Sequence, residues 1–76
     1  MKHFLDQLAD SVEFEICRAI PSAFPEDLTE EDAAQRGLEV ADRFGLKRTR
    51  HRSIEFAVRV WRERLAAKRA GRASTL

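Results

Sequence analysis

Apolar side chains recur along this chain at intervals of three and four, the spacing of helices that bury one face. At about 100° per residue, Phe4, Leu5, Leu8, Ala9, Val12, Ile16, Ala19 and Ile20 share one arc of a first helix over about 3–20. Asp6, Asp10, Glu13 and Arg18 take the opposite arc, whereas Glu15 falls among the apolar residues and Phe14 on the acidic face. Pro21 and Pro25 bracket Ser22-Ala23-Phe24 as a connector, since proline donates no backbone hydrogen bond and ends helices. Thr29 before Glu30, Glu31 and Asp32 has the form of an N-cap with an acidic first turn. It opens a second helix over about 30–44, whose apolar side is Ala33, Ala34, Gly37, Leu38, Val40, Ala41 and Phe44. Ala33, Gly37 and Ala41 are spaced by four, so small residues line a ridge that another helix can approach closely. Gly45 is suited to close that helix in a left-handed conformation.

A third helix over about 50–70 carries a buried-face stripe of Ile54, Ala57, Val58, Trp61 and Leu65. Phe56, Val60 and Ala67 form a second stripe beside it, so the apolar arc is wide. Such a helix either sits between the other two or keeps a shoulder for a partner. Gly71 is the expected stop, leaving 71–76 as a polar tail to a single domain over 1–70. No segment alternates with period two and no Asn-Gly or Asp-Gly turn occurs, so strands are not expected. The reading is an all-α, three-helix bundle. Its core is expected from Leu5, Leu8, Val12, Ile16, Leu38, Ala41, Phe44, Leu46, Ile54, Val58, Trp61 and Leu65.

Length changes this picture by limiting it. Seventy-six residues make one small domain, whose core supplies about 3–5 kcal/mol unless something reinforces it. One cysteine, Cys17, forms no internal disulfide, and His3, Cys17 and His51 lack the paired spacing of a zinc site. No metal or other cofactor is expected, which leaves close helix packing or self-association as reinforcement. The longest uninterrupted apolar stretches are only a few residues, so no membrane span or signal-peptide core is read, and a cytoplasmic protein is expected.

Charge adds an asymmetry that the net value of +1 conceals. Residues 1–42 carry three basic and eleven acidic side chains, net −8, while 43–76 carry eleven and two, net +9. Either the halves neutralise each other in the fold or the basic half meets a polyanion. The densest cations are Lys47, Arg48, Arg50 and Arg52, around His51 and just after Gly45-Leu46. With Val40, Ala41, Phe44 and Ile54 they suit a helix-turn-helix that presents cations to DNA. The departure is His51, where an apolar plug is usual.

Catalysis has little to work with. His51 and Ser53 are two residues apart and point to different faces of a helix, so they cannot pair as base and nucleophile. The three glycines are isolated and form no phosphate loop. Glu15 is expected to pair with a cation of a neighbouring helix, and Cys17 to be a small core residue. No enzyme, small-molecule substrate or membrane partner is therefore expected.

The order Gly37-x3-Ala41-x2-Phe44-Gly45-Leu46, after a helix with Phe4 and Leu8 and a proline corner at Phe24-Pro25, resembles short helical proteins of bacterial type VI secretion spike and effector clusters. The resemblance covers roughly residues 4–61. Phe44 stands where that family usually has tyrosine, and Arg62-Glu63-Arg64-Leu65 replaces its glycine-plus-phenylalanine ending. It implies an accessory or adaptor role and brings no catalytic residues. The expected function is protein–protein interaction, with another protein or a second copy, through Phe14, Phe56 and Val60. DNA binding through Lys47, Arg48, Arg50 and Arg52 stands as the alternative.

Overall fold

The computed structural model describes residues 4–74, with side chains described from Leu8 to Gly71. Three helices follow one another, α1 (Phe4–Ala19), α2 (Glu30–Arg43) and α3 (Arg50–Ser74), with a 3-10 turn at Pro25–Asp27 in the first connector. The all-α, three-helix architecture is as the periodicity requires.

Local chemistry places the ends of α2. Thr29 Oγ1 accepts the backbone N–H of Asp32 at 3.1 Å, and an Asp32 carboxylate oxygen accepts the N–H of Thr29 at 3.1 Å. This reciprocal box satisfies two otherwise unpaired donors of the first turn. At the other end Gly45 adopts φ +71°. Its N–H donates to Asp42 O, and Leu46 N–H donates to Ala41 O at 2.9 Å, the paired bonds of a Schellman ending. Gly71 does not end α3, which continues to Ser74. Its surroundings are open, and alanines on either side favour helix enough to carry the chain through it.

α2 and α3 form an antiparallel hairpin. A Cβ placed on Gly37 would lie 2.6 Å from the Ser53 carbonyl oxygen and 2.8 Å from the Ala57 Cβ, so the two backbones are close at this point. Farther along, Glu30 pairs with Arg62, which sets the register. The small-residue ridge does what its spacing predicts: Ala33, Gly37 and Ala41 are all buried.

α1 lies across the hairpin and packs on both of its helices. The fully buried apolar set is Val12, Ile16, Ile20, Ala33, Val40, Ala41, Ala57 and Val60. This corrects the expected core. Val12, Ile16 and Ala41 belong to it, and Phe44, Leu46 and Trp61 are half-buried but packed against it, whereas Leu8, Leu38, Ile54, Val58 and Leu65 are half-buried outside it. Leu5 lies outside the residues with described side chains. On α3 the buried line runs Ser53–Ala57–Val60, between the two apolar stripes, because α2 and α1 press on the same helix from adjacent directions. Val60 is 8% exposed and belongs to the core, not to an outward shoulder. Ala67, assigned to the same stripe, is exposed.

The connector is fastened from α3. Trp61 Nε1 donates to Pro25 O at 3.0 Å, and Lys68 Nζ donates to Ala23 O at 2.7 Å while standing 5.2 Å from the Phe24 ring centre. Arg64 donates to Cys17 O at 2.8 Å and also to Ile20 O, and Arg36 of α2 donates to Ala19 O at 2.9 Å. Two guanidinium groups therefore occupy the carbonyl end of α1, the negative pole of its dipole.

Candidate interaction surface

Between α1 and the first turns of α3 the packing leaves an open groove of about 360 Å³. Leu8, Val12 and Ile16 supply one wall and Leu46, Ser53 and Phe56 the other. Gly37 allows α2 and α3 close contact, and the groove lies on the other side of α3, against α1. Its lining is chiefly apolar, with Glu13, Thr49 and Arg52 at the edge. The Arg59 guanidinium stands over the Phe56 ring, 5.4 Å from its centre, in a cation–π contact.

The cationic segment stands at this end of the molecule. Lys47, Arg48, Arg50, His51 and Arg52 are all exposed, and no acidic side chain interrupts 43–54. Unlike Arg18 and Arg62, these side chains make no ion pair among the described residues. Arg50 and Arg52 open α3, whose first turn holds no carboxylate. The positive end of a helix dipole thus faces its own cations, an arrangement that an external anion would relieve.

The structure distributes the candidate residues unevenly. Phe14 is 62% exposed, as its place on the acidic face of α1 predicts, with Arg18 5.8 Å from its ring centre. It points away from the core and lines neither side of the groove. Phe56 is half-buried in the groove wall, and Val60 is beneath the surface. The three therefore do not form one patch. Glu15 pairs with Arg18 of its own helix at 3.5 Å, not with a neighbouring helix as expected. Cys17 is half-buried against the core, consistent with a packing role.

Sequence reasoning missed the groove because its walls come from α1 and α3, some forty residues apart. Periodicity assigns Leu8 and Leu46 both to the core, and only tertiary packing leaves a gap between them. Among the described residues, no His, Cys, Asp and Glu side chains gather in a group that could hold a metal ion. No described helix is long and apolar enough to cross a membrane.

Comparison with protein-family models, with curated proteins and with solved structures gives no match to this chain.

Proposed function

We propose that this protein is a small, non-catalytic protein–protein interaction module that docks an acidic amphipathic segment of a partner into the α1–α3 groove. The observation that carries this reading is the conjunction of an apolar groove at Phe56 with Arg52 on its edge, next in the chain to the exposed cations Lys47, Arg48 and Arg50. A helix laid in a groove binds through its apolar face, and charged rims set its orientation and choice of partner. An acidic segment would bury apolar side chains against Leu8, Val12 and Phe56 while its carboxylates met Arg52, Arg50 and Lys47. A role as adaptor or accessory factor in bacterial secretion is in keeping with such a module.

A second reading rests on the same cations, which would also suit the phosphates of duplex DNA. The antiparallel run of α2 against α3, joined through residues 44–49, differs from a helix-turn-helix, whose helices cross steeply after a turn of 3–4 residues. Phosphate contact is then the form DNA binding would take here.

One titration separates the readings. The protein is titrated at low salt with a set of acidic amphipathic peptides, with scrambled peptides of the same composition, and with mixed-sequence duplex. Docking in the groove predicts binding of an amphipathic peptide, loss on scrambling, and weakening by about tenfold or more in Phe56→Ala. Arg52→Glu is expected to weaken it comparably. Equal binding of scrambled and amphipathic peptides would leave only charge and remove the groove from the account. Retention of duplex with a steep salt dependence, and no response to Phe56→Ala, would favour DNA.

A further inference from the structure

The hairpin of α2 and α3 has two sides, and α1 covers one. Arg36 on α2 and Phe56 on α3 lie toward α1, through the Ala19 carbonyl and the groove respectively. Two residues on from each, about 200° round the helix, stand Leu38 and Val58. Ala34 and Ile54 lie beside them, and all four are half-buried. Besides α1, the described element that packs on the hairpin is the 3-10 turn at Pro25–Asp27, which meets α3 at Trp61, one turn beyond Val58.

Size and shape say that the face is large for an isolated chain. The radius of gyration is 13.8 Å, against about 11 Å for a compact chain of this length. Its dimensions of 47 × 30 × 14 Å describe a slab two helix layers thick. The accessible surface is 5748 Å², about 1,000 Å² above the scaling for a monomer of this mass. Part of that excess is the end of α3 beyond Lys68, and part is the uncovered hairpin. A specific interface covers about 800 Å² on each partner. Among the described residues no leucine, phenylalanine or tryptophan is fully buried.

We propose that a second copy of this chain covers this face, on a two-fold axis running along the helices of the hairpin. Such an axis leaves every residue at its height along the hairpin and sets α2 on the other copy's α3. The heights are known from the internal register, in which Gly37 lies against Ile54 and Ala57 and Glu30 reaches Arg62. Leu38 then meets Ile54 of the second copy, and Ala34 meets Val58. At the rim Glu31 comes over Arg62, and Asp42 comes over His51. The two half-buried apolar residues on this face of α2, Ala34 and Leu38, thus find apolar partners, and Glu31 and Asp42 find cationic or hydrogen-bonding ones. A two-fold axis across the helices would instead set α2 on α2 and oppose like charges, which disfavours it.

Oligomeric state tests this directly. Size-exclusion chromatography with light scattering over about 5–500 µM should show a species of twice the 8.7 kDa chain mass. Leu38→Glu and Val58→Glu should each weaken association by about 30-fold or more, with helical circular dichroism retained. Should Leu38→Glu lose helicity, Ala34→Arg makes the same test. Glu31→Arg should weaken the dimer, and adding Arg62→Glu should restore it, which only the pairing of α2 with α3 predicts. A monomer at every concentration would overturn the proposal. So would a dimer that withstands both Leu38→Glu and Val58→Glu, or one abolished by Phe56→Ala alone. The groove stays open in this dimer, so peptide binding by a monomeric Val58→Glu variant separates self-association from partner docking.

Discussion

Gly37 shows how one missing methyl group decides an interface. Alanine would raise helix propensity there by about 1 kcal/mol, so a secondary-structure argument alone favours the substitution. The obstacle is backbone: the Ser53 carbonyl oxygen would lie 2.6 Å from the new Cβ and the Ile54 Cα 3.0 Å. Neither can rotate away, so the helices must separate and the buried contacts of Ala33 and Ala57 loosen. Gly37→Ala is expected to lower stability by about 1–3 kcal/mol net, read from urea denaturation. The other two glycines differ from each other. Gly45 has φ +71°, where a Cβ is strained, so Gly45→Ala should cost about 1 kcal/mol. Gly71 is helical with open space around it, so Gly71→Ala should stabilise by up to about 1 kcal/mol. A denaturation series over the three variants gives two losses and one gain if these backbones are as described.

The ends of the elements explain where much of the basic half goes. Arg36, Arg64 and Lys68 do not seek carboxylates; they donate to carbonyl groups at the end of α1 and in the connector after it. Arg64 does most, since its guanidinium is half-buried and serves both Cys17 O and Ile20 O. Arg64→Met keeps much of the aliphatic stem and removes the donors, leaving those carbonyls unpaired. A loss of about 1–3 kcal/mol in denaturation experiments is expected. Arg64→Lys should recover only part of it, because an ammonium lacks the planar fork that spans two acceptors. By contrast the Arg62–Glu30 pair is solvated on both sides, and breaking it should cost at most about 1 kcal/mol.

At the scale of the whole molecule the charge division becomes spatial. Glu30 and its acidic neighbours at the start of α2 stand beside the Arg62 turn of α3, so opposite charges meet at that end of the hairpin. At the other end the charged side chains of 43–54 are all basic and exposed. The near-neutral total thus hides a cationic segment at one end of the hairpin, and the groove opens beside it, with Glu13 and Arg52 both on its edge. This position, more than the number of cations, is why an acidic partner is the better reading. The slab shape has a second consequence, since among the described residues Leu38 and Val58 on the hairpin stay half-buried.

Periodicity and punctuation were enough to determine three helices, the proline connector, the Thr29 cap, the Gly45 turn and the small-residue ridge. These are local matters, set by backbone geometry and by side chains within one or two turns. Which face of α3 is innermost was not among them. Its apolar arc is wide enough to satisfy several orientations, and only the competing demands of α1 and α2 select the Ser53–Ala57–Val60 line. The same holds for Val60, whose stripe reads equally well as shoulder or core, and for the groove, whose walls come from residues some forty positions apart. Sequence determined the elements because helix formation is a short-range property. Tertiary structure decided the surface because it depends on how closely non-local neighbours can approach.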